Sequence, residues 1–298
     1  MSGQRLRAVL VEAFAAQPFQ GNGAAVVLLE QPMPDPWLQA LATSFQQSET
    51  AFLLPQAAGG WALRWFTPSC EVPLCGHATL AATLALGHWD LLPPGMSVSL
   101  ASRSGALAVS LLADQAGTAS LVLPGGGLLP APCPAYLPDL IGVQPLQFWG
   151  SALGYRVALL DPAVDLPALA FDPGALQEQE RPGLVLMQAC NGTNADRPQV
   201  LGQSADYQLR FFAPGLGIAE DPVTGSAHAL VAPWWLETLG RSSVVGWQAS
   251  ARRGGMHCES PAAGLVRLTG SGHLLWDGLV DAGGMPLARG DWSVCKGY

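Results

Sequence analysis

Short apolar or alternating runs recur along this chain, each cut off by glycine, proline or a small polar residue. They are LRAVLVEAF (6–14), AAVVLLE (24–30), TAFLLP (50–55), SVSLASR (97–103), ALAVSLL (106–112), ASLVLP (119–124), YRVALLD (155–161) and GLVLMQA (183–189). Runs of roughly four to eight such residues between turn formers predict strands. Three stretches read instead as helices. DPWLQALATSF (35–45) has Asp35 as N-cap and Pro36 as first helical residue. Ala78–Leu86 are good helix formers closed by Gly87. A third helix has Ser226 as N-cap, Gly240 just past its end and Pro233 as a kink. Many strands around few helices is α+β organisation.

The pattern also repeats. Arg64-Trp65-Phe66-Thr67-Pro68 is echoed by Arg210-Phe211-Phe212-Ala213-Pro214, an offset of 210 − 64 = 146. After an insertion of three residues the offset becomes 220 − 71 = 149 and pairs Glu71 with Glu220, Pro73 with Pro222, Gly76 with Gly225 and Ala78 with Ala227. Each copy runs from a strand into a helix. The Pro/Gly-rich segment 123–138 lies between them as a linker. The expected architecture is therefore two pseudo-symmetric domains, each a curled, mostly antiparallel β-sheet or barrel around a central helix, facing each other across a cleft. The expected bounds are 1–128 plus a C-terminal strand 283–298, and 129–282.

Composition narrows the function classes. Only 12 % of the 298 residues are charged and the net charge is −8, with no basic run longer than Arg252-Arg253. That argues against nucleic acid and anionic membranes as partners. The N-terminus has no signal-peptide pattern and no stretch is apolar for the ~18 residues of a membrane span, so the cytoplasm is the expected location. A hydrophobic content of 49 % leaves apolar surface to be covered, and a homodimer is expected. The six cysteines and five histidines show no metal-ligand spacing, so no metal is expected. Lys296, the sole lysine, sits two residues from the end, and Gly21-Asn22-Gly23 leads into a strand rather than a helix. Pyridoxal phosphate and dinucleotides are thereby argued down, and no cofactor is expected.

The chemistry gathers at the two helix starts. A helix N-terminus presents unpaired N–H groups and partial positive charge, and a glycine there admits a ligand to the backbone. Cys75-Gly76-His77 and Thr224-Gly225-Ser226 are thus two candidate anion cradles for one small carboxylate-bearing metabolite. Taken singly, each is as well explained as a helix cap. Arg64 and Arg210 read as structural partners of Glu71 and Glu220.

Four blocks resemble the phenazine-biosynthesis PhzF-like isomerases, which share the fold of diaminopimelate epimerase: Phe19-Gln20-Gly21-Asn22-Gly23-Ala24-Ala25-Val26, Ser48-Glu49-Thr50-Ala51-Phe52, the stretch through Cys75-Gly76-His77-Ala78-Thr79, and Glu220 to Ala227. Gln248 to Gly255 is similar to a fifth. The resemblance implies a cofactor-independent isomerase in which Glu49 carries a proton between carbons of a small cyclic acid, as in dihydro-hydroxyanthranilate isomerisation. It implies that His77 and Asp221 flank the reaction, and that Ser48, Gly76, Gly225 and Ser226 bind or orient substrate. Asn22, Cys75 and Thr224 join them as candidate contacts. Glu49 stands at a helix-to-strand junction beside an apolar run, where partial burial is expected to raise its carboxyl pKa. His77, at a helix N-terminus, is expected to stay neutral. An Asp-Pro turn bonding its own backbone is the plain alternative for Asp221.

Two departures qualify the resemblance. Gly23 replaces the proline usual after Gly-Asn, leaving that loop less rigid, and Thr224 occupies the place of the second thiol used by the epimerases of this fold. A threonine hydroxyl is too weak an acid and base to replace it. A racemase or epimerase of an amino or hydroxy acid, and a non-catalytic binder of small carboxylated metabolites, are the rival readings.

Overall fold

The structure, a computed structural model, describes residues 5–57, 59–283 and 289–295. Part of the expected C-terminal strand, 284–288 and 296–298, lies outside the described residues. The chain divides into two compact units, Met1–Val122 with Thr269–Tyr298, and Leu123–Leu268.

The first unit holds β1 (Arg5–Ala13), β2 (Asn22–Leu28), α1 (Asp35–Phe45), β3 (Glu49–Pro55), β4 (Trp61–Phe66), β5 (Glu71–Val72), α2 (Gly76–His88), β6 (Ser97–Ser102), β7 (Gly105–Leu111) and most of β8 (Thr118–Pro124). The second holds β9 (Leu128–Pro130), α3 (Leu137–Ile141), β10 (Gln147–Ser151), β11 (Arg156–Leu159), β12 (Leu184–Ala189), β13 (Gln199–Val200), β14 (Gln203–Ser204), β15 (Tyr207–Ala213), β16 (Ile218–Asp221), α4 (Gly225–Leu239), β17 (Ser243–Gln248) and β18 (Gly254–Ala262). The long β19 (Leu265–Asp281) runs from the second unit back into the first.

Within the first unit β1 lies antiparallel between β2 and β19. The sheet continues through a parallel β2–β3 pair, antiparallel β3–β4, parallel β4–β6 and antiparallel β6–β7–β8. A pairing of β8 with β19 closes it into a barrel. Helix α2 is the filling: ten of its thirteen residues are buried, nearly all of them Ala, Gly, Thr or Leu, and it packs against β1, β2, β3 and β7. A helix apolar on every side has to be enclosed, and small side chains let the strands close on it. Its buried hydroxyls are satisfied internally, Thr79 and Thr83 each donating to the carbonyl four residues back.

The second unit repeats the plan strand for strand. β10–β11 is antiparallel, β11–β12 parallel, β12–β15 antiparallel, β15–β17 parallel and β17–β18 antiparallel. That is the succession of β1–β2, β2–β3, β3–β4, β4–β6 and β6–β7, and β5 on β4 is matched by β16 on β15. The repeat seen in the sequence is therefore structural. α4 packs on β17 and β18 and ends at Gly240, whose φ of 62° is the left-handed cap anticipated. No helix of the described residues is long and apolar enough to cross a membrane.

The helix starts differ from expectation by a residue or two. α1 begins at Asp35 with Pro34 as its cap, α2 begins at Gly76 and runs past Gly87 to His88, and α4 begins at Gly225 with Thr224, not Ser226, as its cap. Neither Cys75 nor Thr224 makes a side-chain cap bond. β19 is not among the strands predicted above, and Gly270, Gly272 and Gly278 interrupt its apolar pattern. At Gly272 the reason is a close approach: a Cβ there would meet Leu84 at 2.5 Å and the Glu12 carbonyl at 3.0 Å.

One buried histidine of α4 carries a pH prediction. His228 accepts or donates at Nδ1 to the Tyr207 hydroxyl (2.9 Å), while Nε2 has no partner among the described residues. Burial drives its pKa down to about 3. Below the unfolded value of about 6.5 the unfolded chain takes up a proton that the folded one refuses, so stability is lost as pH falls through 6.5 and on toward 3. From pH 6.5 to 5 the loss is about 2 kcal/mol. Urea unfolding across that range is expected to show this extra slope in the wild type and not in His228→Leu; equal slopes would overturn it.

Candidate active site

In the first unit six of the anticipated residues come together. Glu49 opens β3 and is in register with Ala24 on parallel β2; Asn22 opens β2; Cys75 and His77 flank Gly76 at the start of α2. His77 is the hub. Its Nε2 lies 3.0 Å from Glu49 Oε2, and its Nδ1 lies 3.1 Å from Asn22 Nδ2 and 3.5 Å from Cys75 Sγ. Ser48 Oγ donates to Asn22 Oδ1 (2.9 Å), which turns the amide nitrogen toward the ring. In that arrangement His77 Nδ1 is the acceptor and Nε2 carries the proton that faces Glu49. Beyond that close contact, this buried oxygen has no further hydrogen-bond donor among the described residues and keeps a lone pair open.

His77 departs from the neutral state anticipated for it. Burial opposes its charge, but the Cys75 and Glu49 side chains beside the ring outweigh that and hold its pKa well above the ordinary value. An imidazolium needs an acceptor at Nδ1, and turning the Asn22 amide supplies Oδ1, with the Ser48 hydroxyl then accepting from Nδ2. Cys75 moves the other way in function: burial first, then Glu49, push its thiol up to about 11, so it rests protonated near neutral pH.

The loop entering β2 is held by a residue not singled out in the sequence. Glu12 is buried on β1, and its Oε2 accepts from the Phe19 backbone N–H at 2.5 Å. Nothing in a strand-like VLVEAF marks that glutamate, because its partner is a main-chain group. Gly21 (φ 71°) is required beside it, since a Cβ would come within 2.4 Å of the Ala13 carbonyl. Gly23, expected in a loosened loop, is instead a paired residue of β2 opposite Glu12.

The second unit gathers the other candidates. Asp221 closes β16, and its Oδ2 accepts from the Thr224 hydroxyl at 2.5 Å. Gly225 and Ser226 are the first two residues of α4, and Ser226 Oγ lies 3.3 Å from the Tyr155 hydroxyl. Gln248, at the end of β17, ties the turn together: its Oε1 accepts from Thr224 N (2.8 Å) and its Nε2 donates to the Asp221 carbonyl (2.6 Å). The sequence marked Gln248 only as the start of a matching block, since its partners lie far back in the chain. Gln248→Leu is expected to cost about 2 kcal/mol by leaving the Thr224 N–H buried without its acceptor and the Asp221 carbonyl with only the long Ser250 hydroxyl contact, measurable by chemical denaturation; an unchanged midpoint would contradict the role.

Arg64 and Arg210 are structural, as their spacing suggested. Arg64 makes two bonds to Glu71 (2.7 and 2.8 Å), and Arg210 makes two to Glu220 (2.8 and 2.7 Å). Each guanidinium lies over the phenylalanine two residues on, Phe66 or Phe212. These pairs orient the strand that leads to each helix start.

Each unit thus places polar residues at the start of an enclosed helix within a mixed sheet, which is the epimerase-like α+β plan. A hydroxyproline epimerase from Agrobacterium vitis, solved with trans-4-hydroxy-L-proline bound, shares the fold with a TM-score of 0.60 at 12 % identity, over 98 % of each chain. The family model for phenazine biosynthesis-like protein (PhzC-PhzF) matches residues 11–125 and 142–278, and the chain belongs to that family. It is similar to an uncharacterized isomerase of Pseudomonas aeruginosa, 36 % identical over 252 residues, 84 % of this chain and 88 % of that protein. A crystal structure of a PhzF-family protein from Enterococcus faecalis matches with a TM-score of 0.81 at 29 % identity, over 93 % of this chain and 99 % of that one. The protein is an isomerase-type enzyme.

Proposed function

We propose that this enzyme moves a proton within a small cyclic carboxylic acid, similar to a dihydro-hydroxyanthranilate, without a cofactor, and that Glu49 carries the proton. The observation behind this reading is the Glu49 carboxylate: nine-tenths buried, 3.0 Å from His77 Nε2, and with an open lone pair on that same oxygen. Such an oxygen can take a proton from one carbon and deliver one to another, exchanging with solvent in between. His77 is assigned to hold the carboxyl group and answer its change of charge, with Asn22 and Ser48 adjusting to either ring state. Gly76 at the start of α2 offers N–H groups to a substrate carboxylate. Asp221, Thr224, Gly225 and Ser226 supply a second helix start of the same kind in their own unit, with Asp221 fixing the Thr224 hydroxyl.

A second reading, racemisation of an amino or hydroxy acid, draws on Cys75, 3.5 Å from His77 Nδ1. It is disfavoured because the counterpart residue is Thr224, whose hydroxyl proton is directed at Asp221. The test is solvent deuterium incorporation by NMR into a panel of cyclic and amino carboxylic acids, with purified protein and no added cofactor. Incorporation into a cyclic unsaturated acid with a shifted double bond supports the isomerase. Incorporation at the α-carbon alone would favour the racemase, and binding without exchange would mark a carboxylate binder.

A further inference from the structure

We propose that Glu49, Cys75 and His77 together form a binding site for a zinc-class divalent cation. One ligand atom from each residue lies within 4.8 Å of the other two, and all three residues are buried. His77 Nε2 is 3.0 Å from Glu49 Oε2 and 3.9 Å from Cys75 Sγ. A tetrahedral zinc with bonds of about 2.0–2.3 Å needs ligand atoms about 3.3–3.6 Å apart; the two His77 spacings are a few tenths of an ångström from this, and Glu49 and Cys75, within 4.8 Å of each other, close by about 1 Å at most.

A second observation points the same way. Glu49 Oε2, with its side chain only 9 % exposed, has no well-placed hydrogen-bond donor among the described residues besides the close His77 Nε2 at 3.0 Å. A buried carboxylate oxygen with an open lone pair seeks a cation or a proton. The donor set, one sulfur, one nitrogen and one oxygen, selects Zn²⁺ or Co²⁺ over the hard, oxygen-seeking Mg²⁺ and Ca²⁺. Three protein ligands leave a fourth position open to water or to an acidic ligand. The outer shell needs one change: a metal on Nε2 requires a proton on Nδ1, and the Asn22 amide, whose nitrogen now faces Nδ1, turns over to accept it while Ser48 accepts from Nδ2.

Binding displaces two protons, the Cys75 thiol proton and the Nε2 proton of the His77 imidazolium, and both leave to solvent as metal–sulfur and metal–nitrogen bonds form; no electrons are transferred. The sequence hid this set, because Cys75-x-His77 is no familiar ligand spacing and Glu49 lies on a different strand. Two of the three, Glu49 and His77, also carry the proposed proton transfer, so an occupying cation excludes it. The inference itself stands apart from that reading, because it is tested by spectroscopy rather than turnover.

The experiment is titration of the full chain with Co²⁺. One equivalent is expected to give the intense visible bands of tetrahedral cobalt together with a thiolate-to-cobalt charge-transfer band, both bleached when Zn²⁺ displaces it. Cys75→Ser is expected to lose the charge-transfer band, and Cys70→Ser/Cys133→Ser, which removes the more exposed thiols, to keep it. Glu49→Gln leaves the thiol in place and is expected to weaken binding at least roughly tenfold, which keeps the test decisive should Cys75→Ser fail to fold. A charge-transfer band that survives Cys75→Ser, affinity unchanged in Glu49→Gln, or only weak octahedral cobalt would each overturn the site. If cobalt binds as expected but no acid exchanges with solvent, the isomerase reading fails while the metal site stands.

Discussion

Glu49→Gln is expected to lower turnover, and the exchange of substrate protons with solvent, by about 10²- to 10⁴-fold, with little change in the melting temperature. The substitution keeps size and shape but replaces the carboxylate by an amide, which is not basic enough to take a proton from carbon. Substrate binding is expected to survive because the helix-start N–H groups are untouched, so the loss falls on kcat more than on KM. The partner residue gives a second handle. His77→Asn removes the group beside the carboxyl but not the carboxyl itself, so its loss is expected to be smaller than that of Glu49→Gln. Activity unchanged in a folded Glu49→Gln variant would move the proton to another group, and Cys75 would become the leading candidate.

Much of this was legible from local pattern. The eight strand-like runs quoted from the sequence correspond to β1, β2, β3, β6, β7, β8, β11 and β12, because alternation beside turn residues is a local property. The offset repeat exposed the doubled topology, and Arg64 with Glu71 was readable as a pair because its copy, Arg210 with Glu220, recurs. The long β19 was not readable. Gly272 is there for a close approach by α2 and β1, a tertiary demand that leaves only loop-like composition behind.

The site divides in the same way. Residue identities at the helix starts were visible, as was the SETAF glutamate. The charge state of His77 was not, because a helix N-terminus alone favours the neutral ring, whereas Cys75 and Glu49 reverse that only once β3 is laid beside α2. Glu12 and Gln248 escaped for a related reason. They hold backbone groups of distant segments, and such partners leave no mark in sequence spacing.

Arg64→Ala is the substitution expected to cost the most stability, about 3–5 kcal/mol. The side chain is 2 % exposed and its guanidinium is fully engaged: two bonds to Glu71, one to Asp35 at 2.8 Å, and rings of Phe66 and Trp292 each 5.2 Å away. Asp35 is open to water and loses little. Glu71 is the problem, since its carboxylate is largely buried and would keep only Arg103, itself half exposed, at 2.6 Å. The penalty is that of a buried charge left short of its partner, together with a cavity beneath Trp292. A double variant separates these causes. Arg64→Met/Glu71→Leu removes both charges and fills the space, and is expected to recover most of the loss, because a buried ion pair is seldom worth more than a well-packed apolar replacement. Hydrogen exchange resolved by segment reads the result, as a chain of two units need not unfold in one step. Protection is expected to fall in β3 and β4 of Arg64→Ala and to hold in β12 and β15, whose own arginine is intact. Uniform loss across all four strands, or no recovery in the double variant, would mean that Arg64 acts through something other than its pair with Glu71.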